Sequence, residues 1–271
     1  MIIYKYVDAA TLELILYSQR IIFTHPADFN DPFDRPRVSR AAYGFEYTNM
    51  FTDELMTRER QAEEEDQAWG KCAVSSFTRT PDNALMWAHY ADKHRGAVLE
   101  IDAEVAGFTS KRFLIPVQFG SVIYMKRPNP DQRPRRGLAA MLARVVKSGE
   151  GRFEIENYEG LQRLFLTKGL PWAYEEEVRV ACEAFRYSWG DNDESLTGDW
   201  KKIVKSDGRL GYGWRLAAGS ILRVFTGLRY TALDALQEHA LTHDFEIMRP
   251  DMTRQNDYEV HFLPGEEREF G

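Results

Sequence analysis

The chain has 271 residues, 44% of them hydrophobic and 13% aromatic, with a formal net charge of -7. That is enough apolar material for a sizeable core, and the acidic balance argues against a general DNA-coating protein while leaving room for a local basic groove. Lys5, Asp8 and Glu13 interrupt the early apolar positions and no long apolar run follows, so we expect neither signal peptide nor membrane contact, and a cytoplasmic place.

IIYKYV, residues 2–7, reads as a strand, followed by a helix capped by Asp8 and running to Ser18, with Leu12, Ile15 and Leu16 on its inner face. A second strand over residues 21–24 leads into HPADFNDPFD, a turn-rich loop pinned by Phe29 and Phe33. There Asn30, Asp31 and Asp34 can cap backbone groups or ligate a divalent cation. Residues 45–68 read as a surface helix with an acidic run. KCAVSSFT, which contains Ser76, returns to strand character. TPDNALMWAHYADKHRG then predicts a helix capped near Asp82 and stopped at Gly96. Met86, Trp87 and Tyr90 form its aromatic stripe, with His89 one step round; core packing accounts for such a stripe, and ligand contact by His89 and Tyr90 is the other reading.

An alternating strand over residues 97–102 precedes LIPVQFGSVIYM, expected as a hairpin around Gly120 and Ser121. KRPNPDQRPRR, residues 126–136, is a proline-broken basic loop, either merely solvated or holding phosphates. Helices are expected over 137–147 and 153–167. KGLPWAYEEEVRVAC then supplies a strand from Glu176 onward, with Val178, Val180 and Cys182 on one face and Glu175, Glu177 and Arg179 on the other. Those three charges form either an ion-pair ladder or a site in which a carboxylate acts on a ligand. Residues 186–215 read mostly as loop with a short strand at Ile203 and Val204. A strand over 220–226, a helix over 232–241 and strands over 245–248 and 258–262 close the chain.

This mixed order predicts an α+β fold, one compact domain over residues 1–271 with a central mixed or antiparallel sheet and peripheral helices. Cys72 and Cys182 read as reduced core residues. Phosphate-loop, dinucleotide-fingerprint, HExxH and CxxC signatures are missing. His239 and His243, four apart at a helix end, suit the helix dipole as well as a metal, and no metal is expected.

YKY at the N-terminus, FNDPFD, SSFT followed by NALMWAHYADKHRG, Tyr124 and the pattern of Lys168, Trp172, Glu175, Glu177 and Arg179 together resemble the prokaryotic family of domains of unknown function numbered 2971. That resemblance brings no reaction with it. The order of polar motifs is in addition similar to that of ADP-ribosyltransferases, which place an Arg, His or Tyr on an early strand, a Ser/Thr or Tyr element on a middle one and a Glu on a late one. The chain departs from that pattern in carrying Tyr-Lys-Tyr and Ser-Ser-Phe-Thr. The resemblance implies an ADP-ribosyltransferase-like fold and an NAD-consuming transferase, as in toxins or anti-phage effectors. Its catalytic residues would be Glu177, at the ribose, and Glu175, beside the acceptor. Lys5 or Arg179 would meet the pyrophosphate, Ser76 would supply the middle-strand hydroxyl, and Tyr6, Trp87, His89 and Tyr90 would contact the dinucleotide. NAD is the expected substrate. An unknown protein or nucleic acid is the expected acceptor, and an inhibitory or defence-system partner is also implied. The other expectations are a non-catalytic ligand- or partner-binding module and a metal-dependent nuclease or phosphoesterase built on Asn30, Asp31, Asp34 and Glu177.

Overall fold

Asp8 ends the first strand and starts the first helix: its carboxylate accepts from the Thr11 amide at 2.6 Å, supplying one of the partners that a helix N-terminus lacks. This capped start belongs to a computed structural model that describes residues 1–29, 31, 34, 71–126, 152–183, 199–205, 208–251 and 260–264. In chain order, β1 (Ile2–Val7), α1 (Ala9–Ser18) and β2 (Arg20–Thr24) are followed by β3 (Cys72–Phe77), α2 (Ala84–Tyr90), β4 (Ala97–Asp102) and β5 (Ile123–Met125). Next come α3 (Tyr158–Phe165), β6 (Thr167–Gly169) and β7 (Val178–Glu183), then the hairpin β8 (Trp200–Val204) and β9 (Leu210–Arg215). The last elements are β10 (Ile221–Thr226), α4 (Leu233–His243), β11 (Glu246–Pro250) and β12 (Phe262–Pro264).

The expected α+β character holds, but the strands divide into two five-stranded sheets. The first has the order β1-β4-β10-β11-β12 and is mixed, because β10 and β11 run parallel. The second, β7-β3-β2-β9-β8, is antiparallel throughout. They share one core: Ile3, Leu99 and Ile101 of the first sheet pack in the same cluster as Phe23, Val180 and Trp214 of the second, with Leu12, Ile15 and Leu16 of α1 between. The edge strand β1 of the first sheet meets the second just past the end of β3, where Tyr4 and Thr78 exchange backbone hydrogen bonds of 2.9 and 2.8 Å. Cys72 and Cys182 are buried free thiols.

Several boundaries differ from the sequence reading, each for a local reason. The helix expected to reach Gly96 ends at Tyr90, because Asp92, Lys93 and His94 all take positive φ, a conformation costly for residues with a Cβ. Gly96 serves a close approach instead: a Cβ there would sit 2.0 Å from the Val7 carbonyl oxygen. No hairpin forms around Gly120. Both arms lie along β7 through the Ile115–Ala181 and Ser121–Val178 bridges, and β5 pairs in parallel with β6. The short strand expected at Ile203 and Val204 is part of β8, and β9 pairs with it where loop was expected; Gly211 and Gly213 dilute the strand signal of LGYGWR, and residues 186–198 lie outside the described residues. The helices expected over 45–68 and 137–147, the basic loop after Lys126, Asn30 and Phe33 lie outside the described residues.

Candidate active site

The strand carrying the acidic triplet starts later than its alternation suggests. Leu170–Glu175 form a 3-10 turn, Glu176 takes a left-handed conformation (φ 43°), and β7 begins at Val178. Glu175 and Glu177 therefore do not share a strand face by simple alternation; the kink at Glu176 and the Lys168 ammonium bring them together. Lys168 donates to Glu175 Oε2 at 2.5 Å and to Glu177 Oε2 at 3.1 Å. The register at Glu177 is held by the main chain, since its amide donates to the Tyr124 hydroxyl at 2.8 Å and its carbonyl accepts from the Val122 amide.

Arg179 is the centre of the cluster. Its Nε and Nη2 grip Glu177 at 2.7 and 2.9 Å, its Nη1 and Nη2 grip Asp34 at 2.9 and 2.5 Å, and Nη1 also donates to the Phe165 carbonyl at 2.7 Å. These bonds use every guanidinium donor, so none is left for a pyrophosphate. Asp34, read from sequence as a cap or metal ligand, is an ion-pair partner and also lies 3.8 Å from Lys168.

The two glutamates end up with opposite acidities. Burial alone would raise the Glu177 carboxyl, but Arg179 and Lys168 outweigh it and hold it down at about 2. Glu175 is raised, because burial there exceeds the help from Lys168 and from the Tyr90 hydroxyl, which donates to Oε1 at 2.6 Å. Burial would lower Lys168, yet Glu177 and Glu175 reverse this and raise it.

Lys5 behaves differently. Its Nζ donates to Ser75 Oγ at 3.1 Å and to the Ser76 carbonyl at 3.0 Å and lies over the Phe77 ring, with no carboxylate within ion-pair distance among the described residues. Burial pulls it down to about 8, with Glu177 opposing.

These groups line one cavity of about 300 Å³, at the small end of ligand pockets. Lys5, Tyr6, Asp31, Asp34, Ser76, Tyr90, Lys168, Glu175, Glu177 and Arg179 all reach it. Trp87 and His89 do not. The helical turn of α2 aims Met86 and Tyr90 at the cavity, buries Trp87 edge-on behind the Tyr6 ring at 5.4 Å, and leaves His89 exposed. Asn30 lies outside the described residues. The walls also contain Tyr4 and Thr78, the outer members of the Tyr-Lys-Tyr and Ser-Ser-Phe-Thr motifs, and two groups that the sequence reading had not assigned to a site, Lys205 and Arg209 at the β8–β9 turn. Nothing local marks these hairpin cations.

Residues 86–180 match the model of a family described as "Protein of unknown function (DUF2971)", a span that takes in MWAHYA and the Lys168 to Arg179 pattern and leaves FNDPFD outside. No curated protein and no solved structure matches the chain.

Proposed function

From a chain whose residues 86–180 carry the family segment described as a protein of unknown function, DUF2971, we propose an NAD-consuming, ADP-ribosyltransferase-like enzyme working in this cavity. One observation carries the reading: groups from an early strand (Lys5, Tyr6), a middle strand (Ser76) and the approach to a late one (Glu177) line the same pocket. A carboxylate kept ionised within a largely covered site favours a cation that forms beside it. As nicotinamide leaves with the electron pair of its bond to the ribosyl C1′, C1′ becomes oxocarbenium-like, and Glu177 is the fixed anion for it. C1′ then bonds to an oxygen or nitrogen of the acceptor, whose proton passes to Glu175, the carboxyl that burial keeps basic. Lys5, which has no carboxylate partner among the described residues, takes the phosphate role for which Arg179 has no donor. The cavity suits the nicotinamide–ribose head of NAD, with the remainder nearer the mouth.

Nicotinamide release from NAD, with purified protein and with cell lysate, tests the reading. E177Q is expected to lower kcat/KM at least a hundredfold, K5M to act mainly on KM, and the wild-type KM to rise as pH passes about 8 and Lys5 loses its charge. Absence of nicotinamide release under all these conditions would sink the proposal. A second reading, a pocket that binds its ligand without turnover, is favoured by the complete pairing of Glu177 with Arg179 and Lys168. It predicts a ligand-induced rise in Tm with no product.

A further inference from the structure

The face of the second sheet that carries Arg179 continues past the cavity onto β2, β9 and β8. Cross-strand partners point to the same side of a sheet, about 5 Å apart. Arg20 on β2 stands opposite Arg215 on β9, Ile22 stands opposite Gly213, and Gly213 in turn faces Lys201 on edge strand β8. Like charges placed directly opposite destabilise a sheet. Arg20 registers the strain: burial and then Arg215 lower its pKa. Its Nη1 donates to the carbonyls of Asp199 and Gly213, and among the described residues no carboxylate pairs with Arg20, Lys201 or Arg215. The nearby Asp199 carboxylate is taken by Arg112 at 2.7 Å.

Two glycines on β9 let neighbouring side chains lie across this face. At Gly213 a Cβ would meet Ile203 Cδ1 at 2.4 Å and the Arg20 side chain, and at Gly211 it would meet Ile22 Cγ2 at 2.6 Å with Lys205 Cγ close by. The strip runs into the cavity, whose wall includes Ile22, Thr24, Lys205 and Arg209, the last beside Asp28. The two exposed large apolar residues of the hairpin, Val204 and Leu210, are cross-strand partners on the opposite face. Among the described residues the cationic face thus offers no exposed large aliphatic or aromatic anchor of the kind that protein interfaces use.

We propose that this strip of β2, β9 and β8 binds a single-stranded nucleic acid through its phosphates and leads it to the cavity as the acceptor. Charge complementarity selects the partner: on a chain of net charge -7, Arg20, Lys201 and Arg215 form a cationic row with no matching carboxylate among the described residues, along which a phosphodiester backbone can lie. The acceptor role rests on the transferase reading; binding does not.

The test is fluorescence anisotropy of a labelled mixed-sequence RNA and its DNA counterpart with the full chain over a salt series, with poly-glutamate as competitor. Wild type is expected to bind more weakly as salt rises. K201E/R215E is expected to weaken binding at least tenfold at an unchanged Tm, and K201Q/R215Q to reduce the log–log salt slope by about 1.4, at roughly 0.7 per phosphate contact. Three results overturn the proposal: no salt-sensitive binding, variants that bind like wild type, or displacement by poly-glutamate as effective as by unlabelled oligonucleotide, which would assign the face to an acidic protein. Oligonucleotide binding without nicotinamide release keeps the surface and removes the transferase reading. Nicotinamide release without oligonucleotide binding does the reverse.

Discussion

At the scale of single residues, the decisive fact is that Arg179 joins two carboxylates distant in sequence. The tie between Glu177 and Arg179 was legible in the alternation of EEEVRV, and the folded chain shows it as an ion pair. Asp34 was not legible as the third member, since it lies 145 residues from Arg179 and only the folded chain brings the FNDPFD loop to β7. Removing the guanidinium leaves the buried Asp34 and Glu177 carboxylates with Lys168 as their shared cation, so R179A is expected to lose about 3–5 kcal/mol in urea denaturation. Acid should act through Glu177. Its folded pKa of about 2 lies below the unfolded value of about 4.3, so the stability it contributes is complete above the unfolded value and disappears as pH falls through about 2. On that basis roughly 3 kcal/mol is lost across the window, an upper figure for so coupled a cluster. E177Q should flatten this part of the pH–stability curve, and an unchanged slope between pH 5 and pH 2 would assign the acid sensitivity to other carboxylates.

At the scale of elements, what the sequence showed well was whatever local chemistry decides. The Asp8 cap, the buried face of α1 and β4 at residues 97–102 follow from side-chain periodicity and capping alone. What it hid was decided by approach between segments. Gly120 was read as a turn residue, yet its role is contact with β7: its carbonyl accepts from the Arg179 amide at 2.8 Å, and a Cβ would lie 1.9 Å from the Arg179 carbonyl oxygen. G120A must push this segment off β7, and with it the backbone that holds Arg179. We expect a loss of about 1–3 kcal/mol and weaker ligand binding at the cavity, both readable by ligand-dependent thermal melts. Asn83 is the counterpart on α2. Its Oδ1 accepts from the Leu85 and Met86 amides while its Nδ2 donates to the Tyr174 carbonyl, so one side chain both caps the helix and ties it to the turn that presents Glu175. N83A should therefore cost about 1 kcal/mol in stability and also loosen the Tyr90–Glu175 contact. A stability loss without any change in the pH dependence of ligand binding would limit Asn83 to capping.

At the scale of the whole molecule, the α+β order was readable but the division into two sheets was not, because strand alternation reports a buried face without saying which sheet buries it. The pairing of β1 with β4, and of β3 with β7 and β2, is set by contacts across long separations that leave no periodic mark. The consequence is a core built jointly. Phe23 of the second sheet is fully buried and packs against Phe108, Phe113 and Trp200, within a cluster that also holds Ile3, Leu99 and Ile101 of the first sheet. A cavity at Phe23 removes contacts that both sheets share, whereas a sheet with a core of its own would feel nothing. F23A is expected to lose about 3–5 kcal/mol. It should also lower the midpoint of far-UV circular dichroism and that of tryptophan fluorescence together, since Trp87 packs beside the first sheet while Trp200 and Trp214 report the second. Transitions that separate in the variant would mean that the sheets unfold independently. The cavity, whose walls come from β1 of one sheet and β3 and β7 of the other, would then open before either sheet melts.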